Sequence, residues 1–197
     1  MPTAVLSPAT DYAERVTSGE IVAGKLVRLA CARHLRDLDN ERGLTFDEDA
    51  AQQAIDFFEN VLVLTDGAFA GKPFILQPFQ KFIVGSLFGW KGSDGYRRFR
   101  TAYIETGKGS GKSPLAAGIG LFGLSFDGAA GAEIYAAAVT RDQAKILFAD
   151  AEKMGEGSSD LAKELEFTVN NIAHPGSQSF FRAISAEARA LDGKRVH

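Results

Sequence analysis

The sequence predicts an α/β fold in which a mostly parallel sheet is flanked by helices and preceded by a helical N-terminal extension. A glycine-rich loop at residues 106–113 stands between a strand-like run, residues 101–104, and an apolar segment of helical length. A second strand-like run at residues 133–139 is likewise followed by a helical pattern. Strands that alternate with helices are typical of such sheets. We therefore expect a helical lead-in over residues 1–65 and an α/β core over residues 66–197.

Composition is that of a globular protein with its own core, since 45% of the 197 residues are hydrophobic and 24% are charged. The single cysteine, Cys31, can form neither an internal disulfide nor a zinc site, which fits a reducing compartment. His34 and His174 lack metal-ligand spacing and are expected to be structural. The formal net charge of −3 gives no overall signal of nucleic-acid binding, so any DNA contact must come from a local patch.

No targeting or membrane-spanning segment is visible. The start of the chain lacks the basic and apolar regions of a signal peptide. The longest uncharged run, residues 113–126, is shorter than the ~20 residues of a membrane span. We expect a soluble, cytoplasmic protein without membrane contact.

Residues 1–46 have the spacing of a helical lead-in. Basic side chains occupy the other faces of the predicted helix, so the segment is either a docked surface helix or a contact for a partner subunit. The apolar positions that recur at roughly helical spacing are Ile21, Val22, Leu26, Leu29, Ala30 and Leu38.

The next segment predicts a helix followed by a short strand and a turn. The sequence Thr-Phe-Asp-Glu from Thr45 has the form of a capping box that opens a helix through Phe58. The apolar run at residues 61–64 predicts a strand. Asp66 then imitates the acid at the end of a metal-binding strand, but Gly67 follows directly, and we interpret the pair as a turn.

An aromatic helix is predicted within residues 74–90, where large apolar side chains share one helical face. Gln77 and Gln80 stand at its start, where an amide can leave the apolar face. A side-chain amide carries both donors and an acceptor, as recognition of an adenine edge requires. Spacing alone favours a surface glutamine at Gln80.

Local charge inverts over residues 91–112, which hold six basic and two acidic residues. Arg97, Arg98 and Arg100 form a short basic run there. The run can contact DNA phosphates, or it can be the solvated edge of a hairpin. Short basic runs do not separate these two interpretations.

Residues 106–113 have the form of the phosphate-binding loop of P-loop NTPases. Backbone N–H groups of such a loop, turned inward by glycines, surround a β-phosphate at a helix N-terminus. Lys112 is placed to reach the β- and γ-phosphates and Ser113 to ligate Mg²⁺, whereas Thr106 stands where the motif has its first glycine. The alternative is a glycine-rich turn that binds nothing, and the order of strand, loop and helix favours the nucleotide site. The predicted nucleotide-binding residues of the loop are Thr106, Gly107, Lys108, Gly109, Ser110, Gly111, Lys112 and Ser113.

Downstream of the loop, strands are predicted at residues 165–170 and 179–184, and a capping box at Thr140 opens another helix. Arg141 in the first turn of that helix is left without a role. An ATPase of this type needs an apolar strand that ends in an acid, and none follows Ser113. This acid-ending strand is called the Walker B strand, and we expect a fragment that stops before it.

Four segments together resemble the N-terminal ATPase region of the large terminase subunit of tailed bacteriophages. They occur in the family's order, and the similarity runs over most of the chain. In that family, the glutamine of a Pro-aromatic-Gln segment belongs to an adenine-recognising motif, and it matches Gln80. The segments are residues 76–90, 97–105, 106–113 and 135–144.

The resemblance implies an additional-strand P-loop ATPase that uses ATP and Mg²⁺ to drive double-stranded viral DNA into a procapsid. The family tolerates a non-glycine residue where Thr106 stands and usually has a basic residue at Lys108. The resemblance thus implies catalytic roles for Lys112 and Lys108, a Mg²⁺ ligand at Ser113 and an adenine contact at Gln80. Portal protein, small terminase subunit and further copies of the chain are the implied partners, in the cytoplasm of the bacterial host. The family's nuclease domain lies outside these 197 residues, so DNA cleavage is not expected of them.

Two other functions stay open. The chain can be another P-loop NTPase, such as a small-molecule kinase, although no acceptor-binding lid is visible. It can also be a non-catalytic docking module for the portal or the small subunit. Nucleotide binding separates the docking module from the enzymes, because a docking module has no reason to bind ATP.

Overall fold

The structure, a computed structural model, describes residues 6–39 and 43–185. It contains both helices and sheets, so the predicted α/β class is confirmed at that level. Within the described ranges, no helix is long and apolar enough to cross a membrane.

Two compact units are interleaved along the chain. The first, here called the helical unit, takes the chain up to Asp56 together with Ile75–Glu105. The second, the loop unit, takes Phe57–Phe74 and everything from Thr106 onward. The division predicted after residue 65 therefore falls inside a segment of the loop unit and not at a unit boundary.

Four helices are described in the helical unit: α1 (Pro8–Thr17), α2 (Lys25–Leu38), α3 (Glu48–Asp56) and α4 (Pro78–Gly89). The start of α1 is fixed by Ser7, whose Oγ accepts a hydrogen bond from the N–H of Thr10 at 3.2 Å. α4 begins with a proline, which is tolerated in a first turn because that N–H has no helical partner. The helices α1, α2 and α4 share an apolar cluster of Tyr12, Ala13, Val16, Cys31, Phe79 and Phe82.

A short antiparallel ladder joins β1 (Thr45–Phe46) to β2 (Trp90–Lys91). Directly after β1, Asp47 caps α3, because its Oδ1 accepts from the N–H of Ala50 at 2.9 Å. The capping box predicted at Thr45 is therefore wrong, since strand pairing holds Thr45 and the aspartate takes the cap. α3 ends at Asp56 and passes into a π-helical turn, Phe57–Val61.

The buried face of α2 differs from the predicted apolar face. α2 buries Cys31, His34 and Asp37, whereas Leu26 is 76% exposed and Val22, ahead of the helix, is 97% exposed. The prediction is thus wrong for the exposed positions. Polar side chains occupy the inner face because His34 and Asp37 find partners on other segments.

Three further α-helices lie in the described part of the loop unit: α5 (Lys112–Ser125), α6 (Arg141–Gly157) and α7 (Leu161–Glu164). Its strands are β3 (Glu133–Ala138), β4 (Glu166–Thr168), β5 (Asn171–His174) and β6 (Ser179–Ser185). The helix after the loop and the strands predicted near residues 133 and 179 are confirmed. The cap of α6 is Thr140, whose Oγ1 accepts from the N–H of Gln143.

The four-stranded sheet has the order β3-β6-β5-β4. β3 and β6 pair in parallel, whereas β6 with β5 and β5 with β4 are antiparallel. Only Val169 and Asn170 separate β4 from β5, and so short a connection requires an antiparallel pair. In the described part of the chain the sheet is mixed, and the prediction of a mostly parallel sheet is not confirmed.

Two predicted strands do not form regular strands in the described part of the chain. Residues 101–104, ahead of the phosphate loop, form no hydrogen-bonded ladder there, and Tyr103 is 86% exposed. Of residues 61–64, Val61 ends the π-helical turn, and residues 62–64 belong to a small hairpin in which Val63 bridges Pro73. A strand depends on its hydrogen-bonded neighbour, which local sequence does not specify.

The glycines of α5 allow close packing inside the loop unit. A Cβ atom at Gly120 would lie 2.7 Å from the ring of Phe181 on β6, and one at Gly118 would collide with the ring of Phe58. Real Cβ atoms do not approach this closely, so both positions require glycine. The tight contacts with β6 and with the π-helical turn fix α5 inside the loop unit, and the glycine-rich loop directly precedes this helix.

Candidate nucleotide-binding site

Glycines shape the phosphate loop directly ahead of α5. Gly109 has φ +82° and Gly111 has φ +76°, a region that side chains with a Cβ rarely adopt. Gly111 is the N-cap residue of α5, and its carbonyl accepts the first helical bond, from Leu115 N at 3.0 Å. The loop therefore ends at the N-terminus of a 14-residue helix, where the backbone N–H groups and the helix dipole attract an anion.

Lys112 folds back over the loop. Its Nζ donates to the carbonyl of Thr106 at 2.6 Å and to that of Gly107 at 3.0 Å. Both acceptors are exposed or half-buried backbone oxygens, which phosphate oxygens can replace as partners of the ammonium group. The arrangement holds the lysine above the loop that the sequence assigned to phosphates.

Two hydroxyl groups fasten the loop from within. The Oγ1 of Thr106 is hydrogen-bonded to the Oγ of Ser110, and that Oγ also lies 2.7 Å from the Gly107 carbonyl. Thr106 stands where the motif has glycine, so the departure from the motif adds a contact across the loop. Sequence reasoning did not predict this pair, because the loop had to close before the two side chains met.

The remaining loop residues are accessible. Lys108 and Ser113 are exposed, and a Cβ atom at Gly107 or Gly109 would meet no neighbour within 4 Å. An exposed ammonium group at Lys108 and an exposed hydroxyl at Ser113 fit a loop that meets a ligand from solvent. The structure thus brings the predicted residues together, with Thr106 to Gly111 in the loop and Lys112 and Ser113 in the first turn of α5.

Gln80 lies in the helical unit and is 4% exposed, so the surface interpretation is wrong. Its Oε1 accepts a hydrogen bond from the N–H of Gln77 at 2.8 Å. The side chain thereby caps the start of α4. The capping bond occupies one lone pair of the amide oxygen.

Asp66 lies in a turn, as predicted, where it precedes a 3₁₀ helix, Gly67–Phe69. The Nζ of Lys153 lies 3.2 Å from its Oδ1. Burial, and then the nearby charge of Asp66, raises the pKa of Asp150 on the same helix as Lys153. Within the described ranges no group of three or more His, Cys, Asp or Glu side chains could hold a metal ion.

The basic run divides between two environments. Arg98 turns inward, where its Nη2 lies 2.8 Å from the buried Oδ2 of Asp37, and Arg97 lies over the ring of Phe88. The side chain of Arg100 is 80% exposed, with a carboxylate oxygen of Asp94 at 3.8 Å. The hairpin interpretation is supported by the bridge between Lys91 and Arg97, and Arg98 acts inside the fold.

His34 joins three segments of the helical unit, as expected of a structural histidine. It accepts a hydrogen bond at Nδ1 from the indole N–H of Trp90 at 2.9 Å, and its Nε2 lies 3.0 Å from the Oγ1 of Thr10. Burial lowers its pKa to about 4, so the ring is neutral at pH 7. With Nδ1 accepting, the proton sits on Nε2 and is donated to Thr10.

Comparison with known proteins decides the family. A family model described as the ATPase domain of the terminase large subunit matches residues 78–197, which is more than half of the chain. The chain belongs to the terminase large subunit family. The matched range includes α4, the phosphate loop and the described sheet.

Relatives agree with this assignment. The terminase large subunit of Enterobacteria phage HK97 is 29% identical over 147 residues, which cover 72% of this chain and 28% of that protein. The crystal structure of the HK97 bacteriophage large terminase matches with a TM-score of 0.59 and 25% identity, covering 75% of this chain and 28% of that one. The terminase chain described here thus spans little more than a quarter of the length of that relative.

Proposed function

We propose that the chain is the ATPase part of a phage DNA-packaging motor, which binds ATP at the phosphate loop and couples its hydrolysis to DNA movement into a procapsid. The phosphate loop carries this proposal. It combines two glycines in the left-handed region, a lysine held over the loop and the start of a long helix. The family match covers the same residues.

The residues of the loop fit a triphosphate. Phosphate oxygens take the place of the Thr106 and Gly107 carbonyls as acceptors for Lys112, and the N–H groups at the start of α5 provide further donors. Lys108 provides a second cation near the γ-phosphate. Gln80 is proposed as the adenine contact. Its capping bond uses only the amide oxygen, and the proposed contact uses the amide N–H groups.

The hydroxyl of Ser113 is the proposed Mg²⁺ ligand. A single hard oxygen from the protein fits Mg²⁺, which keeps several waters and takes its other ligands from substrate phosphates. Held by Ser113, the ion would supply positive charge that offsets the negative charge developing during phosphoryl transfer. The contribution of the chain is to position the triphosphate and supply cations from Lys112 and Lys108.

The wider assembly follows from the family and not from contacts in the structure. We propose double-stranded viral DNA, the portal protein, the small terminase subunit and further copies of this chain as partners. Nuclease activity is not proposed for these residues, because they match the ATPase domain.

A nucleotide titration tests the proposal. The full chain should bind a fluorescent ATP analogue in the presence of Mg²⁺, and Lys112→Ala should weaken that binding about 10- to 100-fold, the range expected for charge-assisted hydrogen bonds. Lys25→Ala is the matched control, because Lys25 is an exposed lysine of the helical unit. Equal affinity in all three proteins would remove the phosphate-loop assignment, and absence of binding would favour the docking module.

A further inference from the structure

A small cavity in the helical unit has no role in nucleotide binding as proposed above. Its volume is about 40 Å³, room for about three water-sized groups. Helices α2 and α4 and the hairpin after β2 form its walls. It is lined by Ala30, Arg33, His34, Phe82, Ser86, Trp90, Arg98 and Phe99.

Two buried polar atoms of the lining have no hydrogen-bond partner among the described residues, the Oγ of Ser86 and the Nη1 of Arg98. A buried polar atom without a partner costs about 1–3 kcal/mol, so native structures nearly always provide one. Both atoms belong to side chains that line the same cavity. A group inside the cavity can serve both.

The lining offers hydrogen-bond donors and few acceptors. Arg33 and Arg98 only donate, and the indole N–H of Trp90 is already taken by His34. Neither nitrogen of His34 is available as an acceptor, because Nδ1 receives the indole N–H and Nε2 carries the proton donated to Thr10. Water alone would find donors for its oxygen but few acceptors for its hydrogens, whereas an oxyanion matches the lining.

The charges around the cavity also favour an anion. Asp37 is the carboxylate paired with Arg98, and it is shared with Arg36. Burial raises the pKa of Asp37, but hydrogen bonds from Arg98 and Arg36 outweigh it and hold the pKa below its usual value. Arg33 adds a further guanidinium group, so three positive charges surround one negative charge.

Aromatic rings hold the guanidinium groups in position. The Cζ atom of Arg33 lies 4.9 Å from the centre of the Phe99 ring, and that of Arg98 lies 5.0 Å from the same ring and 5.3 Å from that of Trp90. Guanidinium groups stacked on rings keep their N–H edges available for a ligand. Arg33 is exposed, which places the solvent side of the cavity at this residue.

We propose that this cavity is a binding site for a phosphate group, held by Ser86 and Arg98 inside and by Arg33 at the rim. The volume accepts the oxygen atoms of one such group entering from the Arg33 side. The phosphate belongs either to free inorganic phosphate or to a DNA backbone. These two sources share the chemistry that the lining recognises.

The fluorescence of Trp90 provides a direct readout, because it is the only tryptophan of the chain and lines the cavity. Inorganic phosphate is titrated into the full chain at constant ionic strength, and a short DNA duplex is titrated separately. Both titrations are repeated in Lys112→Ala, so that phosphate bound at the loop does not contribute. We expect a saturable change in Trp90 fluorescence that persists in Lys112→Ala.

Ser86→Ala and Arg33→Gln should each weaken the phosphate signal about ten-fold, because each removes a hydrogen bond to a charged group. Ser86→Ala removes a hydroxyl without a hydrogen-bond partner in the described ranges, and Arg33 is exposed, so neither change should prevent folding. Arg28→Gln is the control, an exposed arginine on α2 that does not line the cavity.

The two sources give different results. If DNA displaces phosphate and Arg33→Gln lowers the salt slope of DNA binding, the phosphate comes from the DNA backbone. If phosphate saturates the signal and DNA leaves it unchanged, the ligand is free phosphate. The proposal is overturned if neither ligand changes the Trp90 signal, or if parent, Ser86→Ala and Arg33→Gln bind phosphate with equal affinity.

Discussion

The Nζ of Lys112 lies 2.6 Å from the carbonyl oxygen of Thr106, six residues earlier in the chain. This contact closes the phosphate loop on itself, because a side chain of α5 reaches the first residue of the motif. In the proposed complex, phosphate oxygens of the nucleotide replace that carbonyl as the partner of Lys112. We therefore predict that the affinity for ATP depends on how well the rest of the loop keeps its shape when the carbonyl is replaced.

Ser110→Ala tests whether the hydroxyl pair keeps that shape. The change removes the hydrogen bonds of the Ser110 Oγ with the Thr106 hydroxyl and the Gly107 carbonyl. We expect ATP affinity to fall about five-fold, since one hydrogen bond contributes about 1 kcal/mol to holding the loop. Calorimetric titration measures the affinity, with Ser159→Ala, an exposed serine elsewhere in the loop unit, as the control. Unchanged affinity in Ser110→Ala would mean that the pair does not order the loop.

The sequence predicted the glycine-rich turn ahead of Lys112 and the helix α5 because their determinants are local, while phosphate binding at the turn stays a prediction. Gly109 and Gly111 adopt the positive φ that only glycine adopts readily, and the apolar run after Lys112 forms one helix. The strands β3 and β6 were likewise recognisable from runs of apolar residues. Their pairing was not, because the partner of a strand is set by chain connections as distant as that from β3 to β6.

The inner face of α2 shows why other features escaped prediction. Asp37 is buried because Arg98, 61 positions later, reaches it, and His34 is buried because Trp90 donates to it. A pattern of apolar residues cannot report such partners, and it led to Leu26, which is exposed. The role of Gln80 in capping was missed for a related reason, since spacing alone favoured a surface position.

Substitutions at Gln80 separate its capping bond from adenine recognition. Gln80→Glu retains an oxygen that can accept from the N–H of Gln77, but it loses the amide N–H donors. If Gln80 binds adenine, both Gln80→Glu and Gln80→Ala should weaken ATP more than GTP. Paired titrations with the two nucleotides measure this difference. A loss in Gln80→Ala alone, equal for ATP and GTP, would restrict Gln80 to capping α4.

Arg97 and Arg100 are the residues of the basic run through which DNA contact is predicted. Arg98 is left out of this variant because it pairs with buried Asp37 and lines the cavity, so its part in phosphate binding is tested by the cavity titrations above. Replacing Arg97 and Arg100 with glutamine should lower the salt slope of duplex binding by up to ~0.9 for each DNA phosphate that the variant no longer neutralises. The slope is measured by fluorescence anisotropy over a range of salt concentrations, with Arg15→Gln as the control on α1. If the variant and the parent have the same salt slope, Arg97 and Arg100 do not contact DNA and the run is only the solvated edge of a hairpin.

From the lowered pKa of His34 we predict that the helical unit loses stability in mild acid. Its pKa in the folded chain is about 4, against about 6.5 in an unfolded chain. Burial is the main cause, the charges of Arg33 and Arg98 lower the pKa further, and Asp37 opposes them. Between these two pH values the unfolded chain binds a proton that the folded chain does not. The free energy of unfolding should therefore fall by about 1.4 kcal/mol per pH unit, and by about 3 kcal/mol in all.

Urea unfolding followed by Trp90 fluorescence at pH 7, 5.5 and 4.5 measures this loss, because Trp90 donates directly to His34. His34→Asn should flatten the dependence on pH, whatever it does to stability at pH 7, since asparagine does not titrate. His174→Asn is the matched control in the loop unit. Asp37 has a lowered pKa, so its contribution to stability is lost only when the pH falls below the ordinary pKa of a carboxyl group. Titration of Asp37 therefore does not add to the loss measured between pH 7 and 4.5. Parallel pH profiles for the parent and His34→Asn would show that protonation of His34 does not oppose folding.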